Sequence, residues 1–225
     1  MAVSPLGMPR HMLTVPGVYT PQHDTHLLMR ALARENISPG THVLELGTGS
    51  GALAVHAARL GARVTAVDIS HRAVLCARVN AALHRSRVTV RYRDLSALDA
   101  GQYDMLISNP PYVPSPTARP PLRGRARAWD GGPDGRAVVN RVCATAATVL
   151  RPGGTLLMVH SEMCGAQTTI DVLARAHLDA EVIDRELIPL GPVLRSRLPW
   201  LREQGMVDDT GPAKEELVVI RARRI

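Results

Sequence analysis

Phenylalanine is absent from the 225 residues, and aromatic residues together make up 3%, few for a pocket that stacks a flipped base. The three cysteines, Cys76, Cys143 and Cys164, are far apart and form no C-x-x-C pair. They support neither a disulfide framework nor a thiolate zinc site. Lysine is nearly missing: Lys214 stands alone among 27 basic residues, a skew towards arginine that fits high-GC coding. No apolar run reaches the roughly 18 residues of a membrane span. The opening MAVSPLGMPRHMLTVPG carries prolines and no apolar h-region, unlike a signal peptide, so a cytoplasmic location is expected. The short hydrolase and metalloprotease motifs H-E-x-x-H and G-x-S-x-G are missing too.

Hydrophobic residues make up 45% and charged residues 21%, the composition of an ordinary globular chain that needs no disulfide or structural metal to fold. The length fits one domain, or one domain with a small cap. A net charge of +7 and a pI near 10.1 give a positive field that favours RNA, DNA or a ribosome-bound partner. A basic enzyme with solvated arginines fits equally.

Residues 1–23, punctuated by proline and glycine, read as an irregular lead-in, and residues 24–225 as one domain. Asp24 is placed to cap a helix carrying Leu27, Leu28, Ala31 and Leu32 at helical spacing, ended by Ser38-Pro39-Gly40. Strands are expected at Val43–Leu46, Arg63–Val67, Val88–Tyr92, Tyr103–Ser108 and Thr155–His160, with helices between, one of them capped by Ser70. Arg151-Pro152-Gly153-Gly154 is expected to stop the helix that runs to about Leu150. Two last strands, 181–188 and 217–222, flank a Pro-rich linker at 189–212 with no helical pattern, and can form an antiparallel edge hairpin. The tail Arg221-Ala222-Arg223-Arg224 reads as a frayed basic end. Strands alternating with helices predict an α/β fold, a doubly wound, mostly parallel seven-stranded sheet with helices on both faces and an antiparallel edge strand. Residues 109–135, with seven prolines and four arginines (Arg119, Arg123, Arg125 and Arg127), form a loop long enough to be functional. Those arginines either grip a phosphate backbone or acidic partner, or are solvated.

Ligands of such a sheet bind at the carboxyl ends of its strands. Gly47-Thr48-Gly49-Ser50-Gly51 follows the first strand and opens a helix, where glycines let the backbone approach a ligand. Alone the pattern also fits a dinucleotide fingerprint or a plain tight turn. Three carboxylates sharpen it. Asp68 ends the second strand, where it can accept both hydroxyls of a ribose; Glu45 precedes the loop; Asp94 follows the third strand and can accept an adenine amine, with Leu95 against the ring. Three acids suit a cationic ligand without phosphate, such as S-adenosylmethionine. His23-x-x-His26 lacks a third ligand, and no metal site is expected.

Asn109-Pro110-Pro111-Tyr112 follows the fourth strand. A planar amide nitrogen is a poor nucleophile because its lone pair is delocalised. The Asn109 side-chain oxygen and the Pro110 carbonyl can accept its two N–H bonds and fix the nitrogen towards a methyl group. Pro110 and Pro111 stiffen the turn and remove competing donors. Tyr112 offers a flat face for stacking.

The chain resembles the class I S-adenosylmethionine-dependent methyltransferases, and within them the HemK-like glutamine N5-methyltransferases of translation release factors. VLELGTGSG (43–51), AVDIS (66–70), RDL (93–95), ISNPPYVP (107–114) and WDGGPDGR (129–136) carry the resemblance. Tyr19-x-Pro21-x-x-Asp24-Thr25-x-Leu27-Leu28 and Glu216–Ile220 look like the small single-domain branch, with no room before residue 43 for an N-terminal helical substrate domain. The resemblance implies a cofactor set of Thr25, Glu45, Gly47, Thr48, Gly49, Gly51, Asp68, Ile69, Asp94, Leu95 and Asn109, with Asn109 and Pro110 holding the substrate amide beside Pro111 and Tyr112. It implies a protein substrate whose target is the Gln of a Gly-Gly-Gln loop, and a small zinc-containing partner. Arg- and Pro-rich residues 114–128 depart from the family where substrate choice is made. Adenine N6 or cytosine N4 methylation of DNA or RNA uses the same tetrapeptide. N-methylation of a small metabolite with a planar nitrogen stays open too, as does a non-enzymatic cofactor-binding scaffold.

Overall fold

The computed structural model describes residues 9, 11–98, 100, 102–122, 124–208 and 213–225. Arg123 and the start of the lead-in, residues 1–8 and 10, lie outside them. Among the described residues seven strands form one sheet: β1 (His42–Leu46), β2 (Arg63–Asp68), β3 (Val88–Tyr92), β4 (Tyr103–Ser108), β5 (Leu150–Ser161), β6 (Leu178–Pro189) and β7 (Lys214–Arg224). Their spatial order is β3-β2-β1-β4-β5-β7-β6. β1 to β5 run parallel, whereas β7 lies antiparallel to both β5 and β6. The reversed strand is thus inserted one place in from the edge, and β6 is outermost.

The middle strands are apolar on both faces. Leu44, Leu46, Leu106, Ile107, Leu156 and Leu157 are all fully buried, the pattern of strands covered by helices on each side. Each such side chain contributes about 1.5–3 kcal/mol of burial free energy. Helices α1 (His23–Leu32), α2 (Ala52–Arg59) and α3 (His71–Leu83) pack side by side in one layer, and α4 (Ala137–Val149) and α5 (Ala166–Arg175) pack together in another. Ser70 caps α3, its hydroxyl accepting from the Ala73 N–H at 3.4 Å.

Four local expectations are corrected. Gln22, not Asp24, occupies the cap position of α1; Asp24 lies inside the first turn and its carboxylate is claimed by the site described below. The helix before Arg151-Pro152-Gly153-Gly154 ends at Val149 as expected, but β5 begins at Leu150 rather than Thr155, so these four residues form the irregular start of the strand, where the register against β4 shifts between Tyr103 and Met105. The 189–212 linker holds two helices, α6 (Pro192–Ser196) and α7 (Leu198–Glu203), too short to show a 3.6-residue period. The basic tail is not frayed: Arg221 and Arg223 sit in β7 with partners on both sides, and Arg221 pairs with Glu181 and Glu35.

Candidate active site

The order of the sheet reverses between β1, which β2 flanks on one side, and β4, which flanks it on the other. A cleft of about 1290 Å³ opens there, over the carboxyl ends of β1, β2 and β4, the expected ligand position in such a sheet. Its floor is the glycine loop. Gly47 and Thr48 donate their N–H groups to the Val67 carbonyl at 3.0 and 3.1 Å, and Gly49 donates to Asp68 Oδ2 at 3.0 Å. These bonds tie the loop to the end of β2. A Cβ on Gly47 would meet nothing within 4 Å, so the loop leaves open space where a ligand can approach the backbone. Gly51, by contrast, does not line the cleft. Its φ of +83° and the approach of Ala77, 3.0 Å from an added Cβ, make it the packing point of α2 on α3.

The end of the cleft that holds the Asn109–Tyr112 turn is built around Asp24. This buried carboxylate accepts from Tyr19 Oη at 2.7 Å and Tyr112 Oη at 3.1 Å on Oδ2, and from the Thr25 backbone N–H at 2.6 Å and hydroxyl at 3.2 Å on Oδ1. Asn109 Nδ2 donates to Thr25 Oγ1 at 3.3 Å. The two ends of the 109–135 loop are stitched together below this cluster. Val113 donates to the Trp129 carbonyl at 2.8 Å, Gly131 to Val113 at 2.9 Å, and Ser115 to Gly132 at 2.9 Å. The WDGG segment is therefore the backbone partner of Val113–Ser115, which directly follows the Asn109–Tyr112 turn. Between them the chain folds back over the rim, where Arg119, Arg125 and Arg127 line the cleft. Arg127 donates to the carbonyls of Leu122 at 3.1 Å and Ile69 at 3.0 Å.

Burial dominates the electrostatics. Glu45 is 1% exposed, and burial, helped by the Asp68 charge and opposed by the Thr48 hydrogen bond, pushes its carboxyl up to about 8. Thr48 Oγ1 donates to Glu45 Oε2 at 2.6 Å. Burial raises Asp68 as well, against the Gly49 and Ser70 N–H bonds and the Arg127 guanidinium. Burial and the Asp24 charge hold the Tyr112 hydroxyl protonated far above its ordinary range. Glu215, buried at the start of β7, is pushed up to about 7 by burial, with a Ser161 hydrogen bond opposing and the Asp24 charge adding. Such a cleft gains from a cation that compensates its acids.

The structure gathers Thr25, Glu45, Gly47, Thr48, Gly49, Asp68 and Ile69 on one wall of the cleft, and Asp94, Leu95 and the Asn109-Pro110-Pro111-Tyr112 turn around it. Asp94 also pairs through Oδ1 with Arg141 of α4 at 2.7 Å, a contact its sequence position does not reveal. Sequence reasoning missed Asp24 and Tyr19 as site residues. Both belong to the opening motif, but a carboxylate near a helix start reads first as a cap, and the segment before it carries no periodicity. The described part of that segment is fixed by Asn80, whose side chain bonds both the N–H and the carbonyl of Leu13 at 2.9 Å. His23 pairs with Glu186 at 3.7 Å, and no cluster of three metal-ligating side chains occurs among the described residues. No helix among them is long and apolar enough to cross a membrane.

Comparison with known proteins converges on one family. A release factor glutamine methyltransferase of Mycobacterium tuberculosis is 34% identical over 199 residues, 82% of this chain and 64% of that protein. The chain thus spans less than two thirds of that relative's length. A Methanocaldococcus jannaschii protein provisionally named a protein N5-glutamine methyltransferase is 31% identical over 175 residues, 77% of this chain and 87% of that protein. Among solved structures, a chain of the E. cuniculi Mtq2-Trm112 complex, described as responsible for methylating the termination factor eRF1, superposes with a TM-score of 0.64. It is 24% identical and aligned over 93% of this chain and 99% of its own, a likeness of fold. The methyltransferase small domain pattern matches residues 10–186, from the lead-in through the glycine loop and the Asn109–Tyr112 turn into β6, and the chain belongs to that family.

Proposed function

We propose that this chain transfers a methyl group from S-adenosylmethionine to the side-chain amide nitrogen of a protein glutamine, the Gln of a Gly-Gly-Gln loop in a translation release factor. The observation that carries this reading is the Asn109-Pro110 turn at the end of β4, facing the same cleft as the acid-lined glycine loop. The residues fit the donor: a phosphate-free cation suits a cleft with buried Glu45 and Asp68 and open space above Gly47. When bound, the donor supplies a methyl carbon made electrophilic by its sulfonium. Asp68 takes the ribose hydroxyls, Glu45 and Thr25 face the amino-acid end, and Asp94 with Leu95 holds the adenine. Asn109 Oδ1 and the Pro110 carbonyl accept the two N–H bonds of the target amide, and the Tyr112 ring supports its plane. Rate then comes from positioning and electrostatics, with no strong base needed. The names of the relatives support glutamine as the acceptor.

A small partner protein has a face to bind. Leu75, Val79 and Leu83 form one exposed stripe along α3, and Tyr92 is exposed on β3, the strand at the sheet's edge. Stripes of this kind mark protein contacts.

The test incubates the purified chain and methyl-labelled donor with a release factor, with duplex and single-stranded nucleic acid, and with small-molecule extract. Label in the Gly-Gly-Gln peptide supports the reading, and Asn109→Ala abolishes it while leaving donor affinity within a few-fold. Label confined to nucleic acid or to small molecules overturns it.

A further inference from the structure

The Asn109 side chain carries an oxygen and an NH2 group on the same carbon, and only one of its two orientations presents the oxygen to an acceptor N–H. Nothing in Asn109 itself selects between them. The selection comes from α1. Asp24 offers four lone-pair sites as a carboxylate, and four donors fill them: Tyr19 Oη, Tyr112 Oη, the Thr25 N–H and the Thr25 hydroxyl. An acceptor-only group leaves the Thr25 hydroxyl no choice but to donate towards it. The Thr25 oxygen then has only lone pairs to offer on its other side. Of the two ends of Asn109, only the NH2 can meet it, as it does at 3.3 Å.

We infer that Asp24 is a positioning residue that acts through Thr25 to fix the direction of the Asn109 amide, so that Oδ1 faces the acceptor nitrogen. Tyr19 and Tyr112 hold Asp24 in place from the other side, which couples the stacking ring to the gripping amide. The inference rests on the methyl-transfer reading for its consequence, but not for its geometry. Reversing one polarity in the chain should reverse the whole chain. In Asp24→Ala the Thr25 hydroxyl loses its obligate acceptor and can donate to Asn109 Oδ1 instead, which swings the wrong end of Asn109 into the cleft. Asp24→Asn keeps its oxygen on the Thr25 N–H, which can only donate, and so keeps the native polarity.

The test has two arms. The first uses the ¹⁵N-labelled chain alone, without donor or acceptor, and follows the Asn109 side-chain NH2 pair, assigned by its disappearance in Asn109→Asp. Native chain, Thr25→Ser and Asp24→Asn should show one proton protected from exchange and shifted from its twin; Thr25→Val and Asp24→Ala should lose both features. If Thr25→Val does not fold, Thr25→Ala takes its place. The second arm measures methyl transfer to a glutamine peptide. Thr25→Val and Asp24→Ala should lower kcat about 100-fold, as misplacement of a reacting group does, a loss that persists at saturating donor, and Thr25→Ser should restore the rate. An NH2 pair in Thr25→Val identical to native overturns the inference, as does an unchanged kcat, or a loss confined to donor affinity. Failure of the methyl-transfer reading looks different: native chain would methylate no glutamine while the resonance pattern stands.

Discussion

The carbonyl oxygen of Tyr112 lies 2.3 Å from where a Cβ on Gly135 would stand, and Cys164 Sγ lies 2.6 Å from the same point. The Cys164 thiol also reaches that carbonyl, at 3.2 Å. The Asn109–Tyr112 turn thus rests directly on the bare backbone of Gly135, and a methyl group there has nowhere to go.

Gly135→Ala should therefore destabilise the fold by about 2–4 kcal/mol, from left-handed strain at φ +72° together with overpacking. It should also abolish transfer in whatever molecules remain folded, by lifting the turn. Gly205→Ala is the control. It shares a positive φ of +66° but would meet nothing within 4 Å, so it should cost about 1 kcal/mol from backbone strain alone. Denaturant midpoints of the two variants measure the difference, and equal losses would show that Gly135 gives the turn no steric support.

Arg197 Nη1 lies 2.6 Å from Asp130 Oδ1, with side chains 19% and 5% exposed, and donates to the Pro114 carbonyl at 2.8 Å. This pair fastens the α6–α7 segment to both stitched ends of the 109–135 loop. Removing one partner leaves a buried charge without compensation, so Arg197→Met should cost about 3 kcal/mol. Arg197→Met combined with Asp130→Leu should recover part of that loss. Urea unfolding of the two variants decides. A single variant no less stable than Arg185→Met, which breaks the exposed pairs with Glu162 and Glu216, would show the contact to be energetically idle.

Much of this fold is legible in the sequence because its signals are local. β3 and β4 fall on the residues that their apolar patterns mark, and Ser70 caps α3, since strand runs and caps depend on near neighbours. The acids at the strand ends are legible for the same reason: a parallel sheet puts every strand's carboxyl end on one side. What escaped depends on distant partners. The insertion of β7 between β5 and β6, the pairing of Val113 with Asp130 and the grip of Tyr19 on Asp24 each join segments whose own patterns are silent about the other. The α6–α7 pair hid for another reason: five and six residues complete too few turns for periodicity to emerge.

Asp68 receives the N–H groups of Gly49 at 3.0 Å and Ser70 at 2.8 Å, one on each oxygen, which orients the carboxylate and leaves further lone pairs for a diol. Asp68→Ala should weaken donor binding by about 1–3 kcal/mol, the cost of losing hydrogen bonds to a charged group. Titration calorimetry measures it. An unchanged dissociation constant would remove Asp68 from the ribose role.

Glu45 makes the cleft sensitive to pH. Its carboxyl sits near 8 in the folded chain against an ordinary 4.5. Below pH 4.5 both states carry the proton and nothing changes. Between about 4.5 and 8 the folded chain keeps a proton that the unfolded chain has released, so stability falls as pH rises through that window, by at most about 1.4 kcal/mol per pH unit. Asp68 and Glu215, also raised, slope the same way, so the Glu45 share is the difference from Glu45→Gln, which should be more stable than native at pH 8 and flatter in pH. A cationic donor reverses the preference by favouring the ionised carboxylate. Donor binding at pH 7 should therefore release a proton, read as a dependence of the binding heat on the ionisation enthalpy of the buffer, and Glu45→Gln should release less. Equal release by the two chains would mean that Glu45 is already ionised in the empty cleft, and would remove burial as the control of its charge.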